Sequence, residues 1–178
     1  MEYCPNGDLT DKITAVWLEK QRPDIFDIVA SFIDIGQAIW YIHDRNIVHR
    51  DIKSPNIFVG ADGVMKLGDF GLAKQSKGHQ SWKSHLSKVG TDCYMAPEVK
   101  DGKEQGKPAD VWSLGLILIE MCTLKPIWDH DFDFGIHILT DVSEVHGVVE
   151  DIDENYDVFK KLIKEMLDPD PADRPTID

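Results

Sequence analysis

Residues 49–71 read HRDIKSPNIFVGADGVMKLGDFG, a loop dense in polar side chains followed by two short apolar runs. The loop, HRDIKSPN, carries an imidazole, a guanidinium, a carboxylate, an ammonium and an amide within eight positions. Pro55 restricts Ser54 to an extended backbone and removes a backbone donor, which predicts a loop here. The runs IFV and VMKL, separated by Asp62 and Gly63, predict a β-hairpin.

A long amphipathic helix is predicted before this loop. Pro23 and Asp24 signal its start, and it is expected to end near residues 43–45. The apolar residues that recur at three- and four-residue steps between these points are Ile25, Ile28, Val29, Phe32, Ile35, Ile39 and Ile42. The loop is therefore expected to lie between a helix and a hairpin that fix both its ends.

The chain after the hairpin is expected to be a long loop followed by helices. Residues 69–98 show little periodicity, and a loop of some thirty residues in a compact domain tends to be functional. Residues 108–123, PADVWSLGLILIEMCT, predict a helix that is buried all round. DVFKKLIKEML, at residues 157–167, predicts one further helix. The fold class expected is mainly α (α+β), with a small β-hairpin.

Composition indicates one globular domain with a strongly acidic balance. The 178 residues are 42% hydrophobic and carry a net charge of −13, which disfavours nucleic-acid and anionic-membrane partners. The longest apolar stretch, LGLILI at residues 114–119, is too short to cross a bilayer. The acidic runs at residues 129–134 and 150–154 predict a solvated face. Three cysteines without a C-x-x-C pair predict reduced thiols, hence a cytoplasmic or nuclear protein.

The polar residues around the hairpin have the chemistry that phosphoryl transfer from ATP requires. A carboxylate must orient the attacking hydroxyl and accept its proton, and Asp51 can do so. Asn56 and Asp69 supply oxygen ligands for a hard cation such as Mg²⁺, and the hairpin between them folds the chain back so that both can face one metal site. Lys53 adds positive charge beside the hydroxyl.

Several motifs resemble those of the C-terminal lobe of eukaryotic serine/threonine protein kinases. HRDIKSPN resembles the catalytic loop H-R-D-L-x-x-x-N, and DFG stands at residues 69–71. MAPE at residues 95–98 resembles the A-P-E motif, and DVWSLG at residues 110–115 resembles the start of the family's buried central helix. The resemblance implies transfer of the ATP γ-phosphoryl group, with Mg²⁺, to serine and threonine hydroxyls of proteins.

The resemblance also implies roles for individual residues. Asp51 and Lys53 would be catalytic, whereas Asn56 and Asp69 would hold the metal and the nucleotide. The residues implied to be structural are Glu98 and Arg174, as a buried ion pair, and Asp110, as a partner of the catalytic-loop backbone.

The substrate class and the subgroup follow from a few positions. Lys53 and the Gly90-Thr91 pair fit the serine/threonine pattern. The stretches MEYCPNGDL, DIKSPNIF and KLGDFGLAK resemble the NIMA-related group, in which Phe58 would form the apolar floor under adenine.

Regulation is expected to involve Arg50. An arginine beside the catalytic aspartate can neutralise a phosphate on the long loop, added by an upstream kinase or by autophosphorylation. Ser84 and Ser87 are the preferred sites, and Ser76 and Ser81 are further candidates. Thr91 is also a candidate, but its family position implies a hydrogen bond near Asp51. The alternative, that these are merely polar residues compatible with a loop, stays open.

The sequence departs from the family at its start. The 178 residues contain no G-x-G-x-x-G stretch, and neither lysine before the HRD motif lies in a V-A-I-K strand. Residues 1–4 resemble the hinge between the two lobes, so the backbone of Glu2 and Cys4 would meet adenine and Asp8 could reach the ribose. We therefore expect residues 1–178 to be a partial kinase domain without its N-terminal lobe, weakly active by itself.

Two alternatives belong to different functional classes. One is a non-catalytic interaction module that binds partners through its late acidic region. The other is a phosphotransferase that acts on small molecules, against which MAPE and Arg174 argue.

Overall fold

The computed structural model describes residues 3–75, 92–103, 105–125, 127 and 142–177. The elements in these ranges are α1 (Leu9–Leu18), α2 (Ile25–Asp44), β1 (Ile47–Val48), β2 (Ile57–Val59), β3 (Met65–Leu67), β4 (Lys74–Gln75), α3 (Pro97–Lys100), α4 (Lys107–Thr123), α5 (Val142–Glu150) and α6 (Asp157–Met166). Short 3₁₀ turns lie at Ser54–Asn56, Phe70–Leu72, Asp92–Tyr94 and Glu154–Tyr156. The predicted helix-rich class with small sheets is confirmed.

Helix α4 forms the centre of the core and is buried at every position from 109 to 122. It packs against α2 and α6, and a Cβ on Gly115 would lie 3.1 Å from the Leu167 side chain, so α4 and the end of α6 are in close contact. Pro108 lies in the first turn, where its missing N–H would have no intrahelical partner. The predicted buried helix is thus confirmed.

Helix α2 begins and ends where the apolar pattern predicted. Asp24 caps its start by accepting a hydrogen bond from the Phe26 N–H at 2.7 Å. By length and composition alone this helix could cross a bilayer, but its apolar face is built into the core through Ile28, Ile35 and Ile39. A core helix passes the same test.

The predicted hairpin is confirmed as β2 and β3. The strands pair antiparallel, with Ile57 opposite Leu67 and Val59 opposite Met65. Gly63 has a φ of +81° at the turn, a conformation that glycine adopts without strain. The hairpin is tied to α2 because the Met65 N–H donates to the Asp34 carboxylate at 3.0 Å.

The prediction of a continuous loop over residues 69–98 was wrong in the described part. Strand β4 pairs antiparallel with β1, and residues 92–94 and 97–100 form short helical turns. Two-residue strands and one-turn helices are too short to produce a periodic pattern, which explains the error. Residues 76–91 lie outside the described part.

Two further helices, α1 and α5, were not predicted. Helix α1 starts with a capping box in which Asp8 and Asp11 each accept a hydrogen bond from the other's backbone N–H. Only Leu9 and Ile13 of this helix are buried, so its apolar stripe is narrow. Helix α5 is nine residues long and precedes the acidic run at residues 150–154. That run is exposed except for Ile152, as predicted, whereas residues 129–134 lie outside the described part.

Candidate active site

The HRD loop is held from below by Asp110, in the first turn of α4. One carboxylate oxygen, Oδ2, accepts the His49 N–H at 2.9 Å and lies 2.8 Å from Nε2 of His43. The other, Oδ1, accepts the Arg50 N–H at 3.0 Å. Arg50 has a φ of +72°, which is strained for a residue with a side chain. The buried helix therefore fixes a loop conformation that the chain would not adopt alone.

His49 joins this loop to the DFG segment. Its Nε2 lies 2.9 Å from the Gly68 carbonyl oxygen, and its ring packs edge-on to Phe70 with the centroids 4.8 Å apart. Gly68 in turn donates to the Asn56 carbonyl at 2.9 Å. A Cβ on Gly68 would lie 2.5 Å from the Phe58 ring, so any larger residue here would force the ring or the backbone to move. The HRD loop, the hairpin and the DFG segment thus form one connected unit.

Asp51 lies at the centre of this unit. Its Oδ2 is 2.9 Å from Lys53 Nζ and accepts the Asn56 side-chain N–H at 3.0 Å. The same Asn56 nitrogen donates to the Asp51 carbonyl at 2.7 Å. Oδ1 of Asp51 is buried and has no hydrogen-bond partner in the described part of the chain. One oxygen of the carboxylate is therefore held by two side chains, whereas the other is an acceptor without a partner in the described part.

Asn56 and Asp69 lie at the same end of the hairpin. The register places Asn56 opposite Gly68, so that Asp69 follows directly. Both bonds that the Asn56 amide makes to described residues are made by its nitrogen, so that the amide oxygen has no partner among those residues and can hold a cation. Asp69 is exposed in a left-handed conformation, φ +53°, and accepts a 3.3 Å bond from the Gly71 N–H.

An amide oxygen and one carboxylate fit Mg²⁺, which keeps several waters and is usually completed by substrate phosphates. They do not suit a metal that needs a full protein cage. No cluster of three or more His, Cys, Asp or Glu that could hold a metal occurs among the described residues. The site residues therefore fit a magnesium ion that arrives with a nucleotide.

Arg50 and Gln105 meet at the edge of the loop. The Gln105 side chain donates to the Arg50 carbonyl at 3.1 Å, and no sequence pattern indicated this contact. The Arg50 Nε is buried without a hydrogen-bond partner within the described ranges. The predicted regulatory residues Ser84, Ser87 and Thr91 lie outside those ranges.

Glu98 and Arg174 form a buried bidentate ion pair, with both oxygen–nitrogen distances at 2.8 Å. The guanidinium also donates to the carbonyls of Asp168, at 2.8 Å, and Pro108, at 3.0 Å. Its carbon lies 5.0 Å from the centroid of the Trp112 ring. The pair joins α3 to the start of α4 and to the segment after α6. The structure thus brings together the two residues that were expected to pair.

Two of the residues predicted to contact the nucleoside, Asp8 and Phe58, lie side by side. Asp8 and Phe58 form an isolated antiparallel bridge, which places α1 beside β2. One oxygen of the Asp8 carboxylate caps α1 by accepting the Asp11 N–H, a structural task that the sequence reading did not assign. Cys4 is half-buried with a free thiol, and Glu2 lies outside the described residues.

Comparison with known proteins gives one family. The protein kinase domain family matches residues 1–178. Serine/threonine-protein kinase Nek1 of Mus musculus is 34% identical over 181 residues, an alignment with 99% of this chain and 14% of that protein. Serine/threonine-protein kinase Nek5 of Mus musculus is 36% identical over 183 residues, and this alignment covers 99% of this chain and 27% of that protein. Serine/threonine-protein kinase pak-1 of Caenorhabditis elegans is 42% identical over 126 residues, with 71% and 21% covered. The chain thus spans about a quarter or less of the length of these relatives.

Proposed function

The chain belongs to the protein kinase domain family, and we propose that it transfers the γ-phosphoryl group of ATP to serine and threonine hydroxyls of proteins. The predicted resemblance to serine/threonine kinases, and among them to the NIMA-related (Nek) group, is confirmed by the Nek relatives. The chain is therefore a serine/threonine protein kinase domain. The observation that carries the proposed chemistry is the Asp51 carboxylate, which is fixed by Lys53 and Asn56 through one oxygen and whose other oxygen has no hydrogen-bond partner among the described residues.

In the proposed reaction, Oδ1 of Asp51 orients a substrate hydroxyl and accepts its proton. The hydroxyl oxygen forms a bond to the γ-phosphorus, the bond from that phosphorus to the bridging oxygen breaks, and ADP leaves with the electron pair. Lys53 places an ammonium beside this carboxylate, where negative charge develops on the transferring group. Asn56, through its amide oxygen, and Asp69 would hold magnesium, which supplies positive charge to the ATP phosphates when bound.

Binding of the nucleoside is proposed for the segment before α1 and for the hairpin. Cys4 and Glu2 would meet adenine through their backbone, with Phe58 below the ring and Asp8 near the ribose. The 178 residues contain no G-x-G-x-x-G stretch to cover the phosphates. We therefore propose that this chain alone binds ATP weakly and turns it over slowly.

Regulation is proposed to act through Arg50, whose buried Nε has no partner in the described part. A phosphate on Ser84 or Ser87, added by an upstream kinase or by autophosphorylation, would supply a charge-assisted acceptor. Thr91 is proposed to bond near Asp51 instead. Cys4, Cys93 and Cys122 are not paired in a disulfide, which supports a proposed location in the cytoplasm or nucleus.

The proposed activity is tested by phosphotransfer from labelled ATP to a serine/threonine peptide library, with the purified chain. We expect slow transfer that Asp51→Asn abolishes, while Asp69→Ala weakens Mg-ATP binding measured by titration calorimetry. Asp151→Asn, which changes an exposed carboxylate after α5, is the matched control and should keep the wild-type rate.

Equal transfer by the wild type and Asp51→Asn would refute the assignment of the catalytic base. Fast transfer by the wild type, lost in Asp51→Asn, would refute only the proposed weakness of the isolated chain.

A further inference from the structure

Four polar side chains form a hydrogen-bonded chain beneath the catalytic loop. Thr10 of α1 donates from Oγ1 to the Ser54 Oγ at 3.1 Å. The Ser54 hydroxyl lies 2.9 Å from the Tyr94 hydroxyl, which donates to the Glu120 carboxyl of α4 at 2.6 Å. The chain thus connects α1, the 3₁₀ turn of the catalytic loop, the turn at residues 92–94 and the central helix.

The hydrogen atoms in this chain can be assigned. Each hydroxyl has one proton, and that of Tyr94 is committed to Glu120. Ser54 must therefore donate to Tyr94, and it accepts the proton of Thr10. All three bonds point toward the carboxyl, and bonds aligned in this way polarise one another in a low-dielectric interior.

The hydrogen-bonded chain is deeply buried, so its polar groups lose their hydration on folding, which is unfavourable for stability. Glu120 is fully buried, and Ser54 and Tyr94 are nearly so. Burial raises the pKa of Glu120 to about 7 and that of Tyr94 well above its ordinary value. Oε1 of Glu120 also accepts the Ile127 N–H at 2.7 Å, whereas Oε2 is buried with no partner in the described part. A network this costly calls for a role beyond packing.

The upper end of the chain lies directly at the catalytic residues. Ser54 opens the 3₁₀ turn that ends at Asn56, and its carbonyl accepts the Ile57 N–H. The Lys53 carbonyl accepts the Asn56 N–H at 2.9 Å. The two side chains that contact the Asp51 carboxylate, Lys53 and Asn56, therefore flank the residue that the chain holds in place.

We propose that Ser54, Tyr94 and Glu120 are positioning residues for phosphotransfer, which hold the turn at residues 54–56 so that Lys53 and Asn56 fix Asp51. None of the three contacts the reacting atoms as we have placed them. The consequence for phosphotransfer rests on the proposed function, whereas the control of the turn does not.

The first experiment is hydrogen–deuterium exchange of the full chain, which needs no activity. Tyr94→Phe removes the hydroxyl and keeps the ring. We expect amide exchange at Asn56 and Ile57 to rise by about tenfold, because the turn loses the buried hydrogen bond between Ser54 and Tyr94. Amide exchange in α6 should be unchanged. Tyr156→Phe is the matched control, because this buried tyrosine donates to the Pro23 carbonyl at 2.6 Å, away from the loop.

Exchange at the turn no faster in Tyr94→Phe than in the control, or a rise spread evenly over the chain, would overturn the proposal. If Tyr94→Phe fails to fold, Ser54→Ala breaks the same chain at its next link and carries the same expectation.

The second experiment compares steady-state kinetics. We expect Ser54→Ala and Tyr94→Phe each to lower kcat by about tenfold to a hundredfold with little change in the peptide KM, as misplacement of a catalytic group does. The double variant should be within about twofold of the worse single variant, since either change breaks one chain. If the effects of the two substitutions on kcat multiply, Ser54 and Tyr94 contribute independently, and the proposed hydrogen-bonded chain is refuted. Asp51→Asn separates the two proposals, because it should abolish transfer without speeding exchange at the turn.

Discussion

Asp110→Ala should both destabilise the fold and disable the catalytic loop. The Asp110 carboxylate accepts bonds from two backbone N–H groups, those of His49 and Arg50, and from the His43 side chain. Asp110 is almost fully buried, so water cannot replace the carboxylate without rearrangement. The substitution leaves three donors without an acceptor.

The magnitude follows from these contacts. Each buried donor left unsatisfied costs about 1–3 kcal/mol. The left-handed conformation of Arg50 costs an ordinary residue about 1–2 kcal/mol. The variant recovers this free energy if Arg50 leaves that conformation. The net loss in the free energy of unfolding should be about 4 kcal/mol, which corresponds to a fall in Tm of roughly 8–16 °C for a domain of this size. Relaxation of Arg50 would also move Asp51, so transfer should be lost at temperatures where the variant is still folded.

Urea unfolding followed by circular dichroism measures the stability, with the m-value as the check on two-state behaviour. Ser113→Ala is the control on the same helix, since Ser113 is buried and its hydroxyl lies within hydrogen-bonding distance of the Tyr94 and Ala109 carbonyls, at 2.9 and 3.1 Å. It should lose about 1 kcal/mol. The reasoning is refuted if Asp110→Ala loses no more than Ser113→Ala, or if it retains wild-type transfer.

Three further predictions concern Arg174, Glu120 and Gly68. Arg174→Met should lower the free energy of unfolding by about 3–5 kcal/mol in urea, because Glu98 is left as an unpaired buried charge; a loss below about 1 kcal/mol, as for an exposed pair, would contradict this. Glu120→Gln should change the pH dependence of stability. Because burial raises the folded-state pKa of Glu120 from 4.5 to about 7, the stability that its protonated form contributes is present below pH 4.5 and lost as the pH rises to 7. Between pH 5 and pH 8, urea unfolding should therefore show the glutamine variant gaining about 2.5 kcal/mol relative to the wild type, and parallel curves would refute the assignment. Gly68→Ala should cost about 1–3 kcal/mol and weaken Mg-ATP binding, because its Cβ would lie 2.5 Å from the Phe58 ring. An unchanged affinity for Mg-ATP in titration calorimetry would show that the DFG segment tolerates the displacement that the added Cβ causes.

The predictions from sequence succeeded where the physical cause is local. The start of α2 depends on a hydrogen bond between Asp24 and the N–H of Phe26, two residues later. The hairpin depends on two apolar runs and a turn between them. The proximity of Asn56 and Asp69 then follows from the register alone. Helix α1 was missed because two buried residues leave too weak a pattern, although the capping box of Asp8 and Asp11 was a signal that could have found it.

The contacts that were missed join residues far apart in the chain. Gln105 reaches Arg50 across 55 positions, and Tyr94 reaches Glu120 across 26. Neither bond leaves a local pattern, since each residue alone is an ordinary polar side chain. Glu120 even lies within a run that the apolar pattern assigned wholly to the core.

The sequence by itself determined which groups could carry the chemistry, because Asp51, Asn56 and Asp69 lie on one loop and hairpin whose geometry is set by neighbouring residues. Only the tertiary structure decided which contacts hold this loop in its conformation. Its strained backbone is maintained by Asp110, some sixty positions away, and its turn by a hydrogen-bonded chain that ends on Glu120. Both anchors are effective because α4 is buried at the centre of the core, where polar groups that lose their partners cannot turn to water.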